Sequence, residues 1–268
     1  LHSVLIFGLF GFPRLGVVGA AIATVVSRFS EFFALAYFVH KRSAHYAFII
    51  GAYSSPKIPA SLLLDILKRV FPLLFNELIW SLAMTVRNQC ISTAGLDAVA
   101  AFNIQTTVTN LLNITYLALA SSIAIIVGNT LGAGDTERAK DESKKLLTFS
   151  AIVGLGMGIL QISLSGVFPL LYNVPALTRS LASYMLIISG LSLPANALAV
   201  SSYYTLRSGG LALLTMLFDC VYAWVITVPT ALILSYLTGA GIHLLFAAVV
   251  LLLDFFMIIR RRLEKKSI

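Results

Sequence analysis

One apolar stretch of membrane length, residues 71–94, contains side chains that can carry charge. The stretch reads FPLLFNELIWSLAMTVRNQCISTA and includes Asn76, Glu77 and Arg87. A charged side chain at bilayer depth costs about 2.5–3.5 kcal/mol on insertion scales, so such a residue usually faces a cavity or a partner. Arg87 lies about 15 Å beyond Glu77 along a helix axis, too far for the two to pair within one helix. Glu77 is therefore the first candidate functional residue.

Two stripes of polar residues accompany this acid. The first continues from Glu77 along the same helix face, and the second recurs along the next apolar stretch at helical spacing. Such stripes either face an aqueous cavity or form hydrogen bonds between helices. The three asparagines on one face of the second stripe are compatible with both alternatives, and neither is favoured over the other. The predicted cavity residues are Asn76, Ser81, Thr85, Asn88, Asn103, Thr106, Asn110, Asn113 and Tyr222.

A second acid, Asp219, lies within another apolar stretch, about 12 Å from its end. Burial penalises the charged form of both Asp219 and Glu77, so a proton or a small metal ion could discharge either carboxylate. Loading and unloading such an ion would change which conformation is favoured. The two acids are therefore candidate coupling sites for an ion gradient, with the identity of any metal left unknown.

Pro194 and Asn196 interrupt a third apolar stretch. A proline within a helix frees a backbone carbonyl that neighbours or water must satisfy. Transporters place such broken helices at binding sites, although a simple packing bend has the same sequence signature.

The elements that hold these residues are membrane helices. The sequence is 59% hydrophobic and only 11% charged, with a mean hydropathy of +0.93, far from the composition of soluble domains. A helix needs about 20 apolar residues to cross the bilayer core. The predicted fold is an all-α, polytopic transmembrane helix bundle with a partial span at 1–10 and seven full spans, at 17–39, 71–94, 98–127, 146–171, 177–206, 211–237 and 241–259.

The charge distribution predicts the orientation of these spans. The net charge is +8, and 15 of the 19 Lys and Arg residues fall on one side if the C-terminus is cytoplasmic. The positive-inside rule fits this orientation. The basic residues therefore indicate topology in the cell membrane, not a nucleic-acid partner.

Several classes of site are absent from the sequence. There is no nucleotide-hydrolysing loop, no HExxH zinc motif and no acid-rich diphosphate motif, so we expect no enzymatic activity and no cofactor. Cys90 and Cys220 lack metal or redox spacing and are expected to be packing residues. In residues 43–70, Pro56 and Pro59 predict a cytoplasmic linker that ends in an interfacial amphipathic helix.

The chain resembles the multidrug and toxin extrusion (MATE) family over nearly its whole length. The resemblance is carried by LIFGLFGFPRLGVVGAAIATVVSR, FPLLFNELIWSLAMTVRNQC, AVAAFNI, GNTLGAGDTERAK and the YTLRSGG turn. It implies that residues 1–42 are the end of the fifth and all of the sixth helix of an N-terminal lobe, and that residues 71–268 form the C-terminal six-helix lobe. The rest of the N-terminal lobe, which the activity would require, would then be missing.

The resemblance also implies a function. Members of this family export cationic or amphipathic small molecules in exchange for protons or sodium. Glu77 matches the acidic position of the seventh helix implicated in cation coupling. Asn196 matches a tenth-helix position that is aspartate in some members, which leaves a two-carboxylate sodium site in doubt unless Asp219 compensates.

Two other functions stay open. A lipid-linked precursor flippase of the same wider superfamily would need a strongly cationic cavity, and only Arg28 and Arg87 offer positive charge within the spans. A seven-helix receptor would match the span count, but a chain that begins inside a helix and carries two polar faces argues against it. We therefore expect a gradient-coupled exporter.

Overall fold

The computed structural model describes residues 2–42, 59–210, 220–239 and 241–252. Within these ranges the protein consists of helices and turns without a strand, which confirms the predicted all-α class. The helices are α1 (His2–Phe7), α2 (Gly16–Lys41), α3 (Ala60–Ser92), α4 (Leu96–Gly132), α5 (Thr136–Leu164), α6 (Ala176–Ser208), α7 (Cys220–Leu237) and α8 (Ile242–Leu252).

Five of the described helices are long and apolar enough to cross a membrane, namely α2, α4, α5, α6 and α7. They correspond to five of the seven predicted spans. The predicted span 71–94 lies in α3, which is helical but is not among the five. The predicted span 241–259 begins with α8, a shorter apolar helix, and its remainder lies outside the described residues.

Helix α3 combines two regions that the sequence analysis treated separately, namely the interfacial helix at the end of residues 43–70 and the span at 71–94. The structure has one continuous helix of 33 residues with Pro72 inside it. Membrane helices tolerate an internal proline because neighbouring groups and local adjustments satisfy the freed carbonyl. The sequence signal at Pro72 therefore marks a position within α3 and not its start.

The chain forms two compact units, Leu1–Leu67 and Lys68–Ile268, and their boundary falls within α3. In the first unit, the backbone N–H of Leu15 donates to the carbonyl of Leu5 at 3.0 Å. A Cβ added at Gly19 would lie 2.5 Å from that same carbonyl oxygen, so only glycine permits this close approach. Arg28 and Glu31 form an ion pair at 3.0 Å on the exposed face of α2.

The core of the second unit is built by α4, α5 and α6. One buried cluster joins Ile91 at the end of α3 to Ala101 and Ile104 of α4, Met185 of α6 and Phe246 of α8. A second cluster packs α4 directly against α6, with partly buried side chains of α5 around it. Without a hydrophobic driving force in lipid, such tight packing and interhelical hydrogen bonds hold the helices together.

Helices α5 and α6 approach most closely at two glycines of α5. A Cβ at Gly158 would lie 2.5 Å from the carbonyl oxygen of Gly190, and a Cβ at Gly154 would lie 2.7 Å from Cβ of Ala197. The carbonyl of Gly190 is the one that Pro194, four residues later in α6, cannot bond with an N–H. The proline therefore sits where two helix backbones touch.

The start of α5 lies outside the predicted membrane span and is held by polar contacts. Asp135 caps the helix by accepting the backbone N–H of Arg138 at 3.0 Å. Arg138 pairs with Glu142 at 2.8 Å and Lys145 with Asp141 at 2.7 Å. A hydrogen bond from the Thr130 hydroxyl, together with Arg138, lowers the pKa of the Glu142 carboxyl below its usual value.

Candidate functional site

Glu77 lies on an exposed face of α3. Its side chain makes no hydrogen bond or ion pair to any residue that the structure describes. Ser81, Thr85 and Asn88 follow it at successive turns and are exposed as well. We call these four residues the Glu77 stripe. The structure thus brings them onto one accessible face, surrounded by exposed apolar side chains such as Leu74 and Leu78.

Asn76 occupies a different position from its neighbour in sequence. It is only 4% exposed, and its Oδ1 accepts a hydrogen bond from the thiol of Cys220 at 2.9 Å. A buried amide needs such a partner because an unpaired one is costly. The hydrogen bond between Asn76 and Cys220 therefore connects α3 to the first residue of α7. The sequence did not indicate this role for Cys220.

The contact between α3 and α7 continues along both helices. The indole N–H of Trp224 donates to the carbonyl of Ile79 at 3.1 Å, and the hydroxyls of Thr93 and Ser235 lie 2.6 Å apart. Tyr222, a predicted cavity residue, is 6% exposed and donates its hydroxyl to the carbonyl of Leu252. Asp219 lies outside the described residues.

Helix α4 presents the second polar stripe, which we call the Asn103 stripe. Asn103 and Asn110 are exposed, whereas Thr106 and Asn113 are half-buried. The hydroxyl of Thr106 donates to the carbonyl of Asn103 at 3.0 Å, a bond within the helix that leaves the amide of Asn103 accessible. The stripe is therefore only partly available to a ligand.

Asn110 borders a groove of about 320 Å³ between α4 and the end of α5. The other lining residues are nearly all apolar and include Leu111, Leu164 and Phe168. Its volume lies at the lower end of the range for small-molecule sites. The groove gives this end of the Asn103 stripe an apolar border.

Asn196 lies in α6, two residues after Pro194, and is half-buried. Its Oδ1 accepts a hydrogen bond from the hydroxyl of Tyr116 of α4 at 2.9 Å. Neither residue bonds to Glu77, so the structure does not join the two predicted coupling positions by a direct hydrogen bond. Tyr116 was not among the predicted residues, and only its spacing from Asn113 and Thr109 could have indicated an inward polar face.

A buried polar cluster between α4, α5 and α6 was also missed by the sequence reasoning. Gln161 of α5 is fully buried. Its amide nitrogen donates to the carbonyl of Leu186 at 3.1 Å and to the hydroxyl of Ser189 at 2.5 Å. Its amide oxygen accepts the hydroxyl of Thr109 at 3.3 Å. The only sequence feature that could have indicated this cluster was a single glutamine within an apolar span.

Within the described ranges, no group of three or more His, Cys, Asp or Glu side chains is placed to hold a metal ion. Glu77 is the predicted coupling acid that the structure describes, and Ser81, Thr85 and Asn88 supply the other polar side chains on its helix face. This arrangement can bind a proton or a cation at one carboxylate and offer hydroxyl and amide groups to a polar ligand.

Comparisons with known proteins agree with this architecture. Residues 72–237 match the family model MatE. The chain is 28% identical to the probable multidrug resistance protein YoeA of Bacillus subtilis (strain 168) over 240 residues, which cover 89% of this chain and 51% of that protein. It is also 28% identical to the multidrug resistance protein NorM of Burkholderia vietnamiensis over 254 residues, covering 90% and 52%.

A solved structure gives the same result for the fold. An outward-facing multidrug resistance MATE family transporter of the MOP superfamily superposes with a TM-score of 0.79 at 21% identity, covering 98% of this chain and 59% of that one. The chain thus spans about half the length of the curated relatives it matches. The family model covers more than half of the chain. The chain belongs to the MATE family, whose members are multi-pass membrane transporters and not enzymes.

Proposed function

We propose that the chain is part of a secondary active antiporter that exports cationic or amphipathic drugs and toxins in exchange for protons or sodium. The relatives are about twice as long as the matched region, so the proposal concerns a transporter that also contains an N-terminal lobe. Its orientation would place the C-terminus in the cytoplasm, in line with the distribution of Lys and Arg.

The observation that carries the proposal is the exposed carboxylate of Glu77 in the part of α3 that the sequence predicts to span the membrane. A lone acid in this setting is costly when charged unless a cation or a proton neutralises it. Competition between a coupling ion and a cationic substrate for such a carboxylate is the simplest way to link their opposite movements, because each ligand can stabilise a different conformation.

The remaining predicted residues take three roles in this proposal. Asp219 and Asn196 join Glu77 as coupling residues, with Asp219 supplying a second carboxylate where Asn196 is neutral. The exposed members of the Glu77 stripe and the Asn103 stripe contact the substrate. Asn76 and Tyr222 act through the helix contacts they make with α7 and α8.

Charge argues for export of cations over the flippase alternative. The Glu77 stripe and the Asn103 stripe together contain one acid and no base. Arg87 lies beside the first stripe, and its guanidinium donates to Oδ1 of Asn88 at 3.2 Å. An anionic lipid-linked precursor would find few positive partners on these faces.

The test is efflux of a fluorescent cationic dye from cells that express the complete transporter. Wild type is compared with Glu77→Gln at matched membrane expression, with Glu137→Gln as control because Glu137 is 88% exposed at the start of α5. We expect Glu77→Gln to slow efflux about tenfold or more, which corresponds to about 1.4 kcal/mol, and the control to keep it. Wild-type cells that export no cationic dye would favour the flippase, and equal efflux by Glu77→Gln would make Glu77 structural.

A further inference from the structure

A hydrogen bond between Tyr116 of α4 and Asn196 of α6 fixes the orientation of the asparagine amide. Tyr116 is only 4% exposed, and its hydroxyl donates to Oδ1 of Asn196 at 2.9 Å. A buried phenol needs an acceptor for its proton because an unpaired polar group is costly to bury. Since only the oxygen end of an amide can accept a hydrogen bond, the bond turns that end of Asn196 toward Tyr116.

The nitrogen end of the same amide stays accessible. Asn196 is half-buried, and its Nδ2 donates to no residue that the structure describes. Because Nδ2 is also not one of the buried polar atoms that lack a partner in the described chain, it reaches the protein surface. An amide nitrogen carries two N–H donors and no acceptor. Asn196 can therefore offer hydrogen-bond donors to a ligand, but not the oxygen that a cation would need.

The surroundings of Asn196 are suited to ligand binding. Pro194 lies two residues earlier in α6 and removes one N–H from the helix, and transporters place such interrupted helices at binding sites. On α4, Asn113 of the Asn103 stripe lies three residues before Tyr116, on the adjacent turn and the same side of the helix. The Tyr116–Asn196 bond therefore links the interrupted part of α6 to the stripe that contacts the substrate in the proposed function.

We propose that Tyr116 is a positioning residue, which holds Nδ2 of Asn196 toward the transported compound. That compound is then a cation that also carries a hydrogen-bond acceptor, such as a carbonyl oxygen. The inference rests on the proposed function, in which the acid Glu77 receives the positive charge, and it adds the group that Asn196 receives. A site built to hydrogen-bond one group of a ligand rejects an analogue that lacks this group, so cations of equal charge should be distinguished by their acceptor.

Efflux of two cationic dyes by the complete transporter tests the inference. Rhodamine B ethyl ester carries an ester carbonyl, whereas ethidium contains no oxygen atom. Tyr116→Phe removes the hydroxyl that orients Asn196 and keeps the aromatic ring. We expect it to raise KM for the rhodamine by about three- to tenfold, the effect of one lost hydrogen bond, and to leave KM for ethidium unchanged. Equal changes for both dyes would indicate a purely structural role and overturn the inference, as would no change for either dye.

Tyr184→Phe is the matched control. Tyr184 is half-buried on α6, and its hydroxyl donates to the carbonyl of His243 of α8 at 3.1 Å. The substitution therefore removes a phenol bond between two helices and leaves the Tyr116–Asn196 bond in place. We expect the ratio of the two KM values to stay at its wild-type value. A shift as large as that in Tyr116→Phe would show that the loss of any such bond suffices, and it overturns the assignment to Asn196.

Asn196→Leu removes the donor itself and should raise KM for the rhodamine at least as much as Tyr116→Phe does. Adding Tyr116→Phe to it should cause no further rise, because Tyr116 acts through Asn196, and independent effects that multiply overturn the inference. Glu77→Gln, measured in parallel, tests the proposed function separately. Slower efflux of both dyes by Glu77→Gln, with an unchanged KM ratio in Tyr116→Phe, overturns this inference alone. Wild type that exports neither dye overturns the proposed function together with it.

Discussion

The thiol of Cys220 donates a hydrogen bond to Oδ1 of Asn76 at 2.9 Å, and this contact joins the first residue of α7 to the middle of α3. It lies one residue away from Glu77. The position of the candidate coupling acid therefore depends on a contact between α3 and α7, whose bonded residues are 144 positions apart in the sequence.

Cys220→Ala should weaken this junction. The substitution leaves the buried amide oxygen of Asn76 without its donor, which costs about 1–3 kcal/mol, and the melting temperature of the purified protein should fall. Cys220→Ser keeps a donor of similar size and is the matched control. Equal melting temperatures for the alanine variant and wild type would show that the bond contributes nothing.

Gly158→Ala should separate α5 from α6. The new Cβ would lie 2.5 Å from the carbonyl oxygen of Gly190, and overpacking of this kind costs about 1–3 kcal/mol. Gly156→Ala is the control, because a Cβ there meets no other atom within 4 Å. Thermal unfolding of the two variants is measured side by side. We expect Gly158→Ala to lower Tm and Gly156→Ala to leave it unchanged, and an equal Tm for both variants would contradict the close approach.

Glu142 should make stability depend on pH at the start of α5. Hydrogen bonds from Thr130 and Arg138 lower the pKa of its carboxyl in the folded protein. The stabilisation is therefore present above the unfolded pKa of about 4.3 and is lost as the pH falls through the folded value.

The measurement is the difference in Tm between wild type and Glu142→Gln as a function of pH. Wild type should be the more stable near neutral pH, and the difference should shrink on acidification. Glu137→Gln, at an 88% exposed position of the same helix, should show a smaller difference at every pH. A difference between wild type and Glu142→Gln that does not change with pH would contradict the assigned contacts.

Helical periodicity was sufficient to predict the all-α membrane fold and the shared helix face of Glu77, Ser81 and Thr85. Polar residues four apart on an apolar helix share a face whatever surrounds them, and Glu77, Ser81 and Thr85 do so. The cap at Asp135 and the pairs Arg138–Glu142 and Asp141–Lys145 are likewise contacts between residues three or four apart, a spacing that helical geometry brings together.

Contacts between distant segments could not be predicted in this way. Asn76 is adjacent to Glu77 in sequence, yet it is buried because α7 packs on that side of α3. The fully buried Gln161 could be understood only once α4 and α6 supplied Thr109 and Ser189. The interfacial helix expected before residue 71 and the span predicted at 71–94 lie in one continuous helix that contains Pro72.

The central claim is that Glu77 couples an ion gradient to export, and counter-transport in proteoliposomes that contain the complete transporter tests it most directly. Proton and sodium gradients are imposed separately, and movement of a cationic dye is followed for wild type and Glu77→Gln. We predict that one of the two gradients drives dye movement by wild type and that Glu77→Gln abolishes the dependence on that gradient. Gradient-driven movement that is equal in wild type and Glu77→Gln would contradict the account.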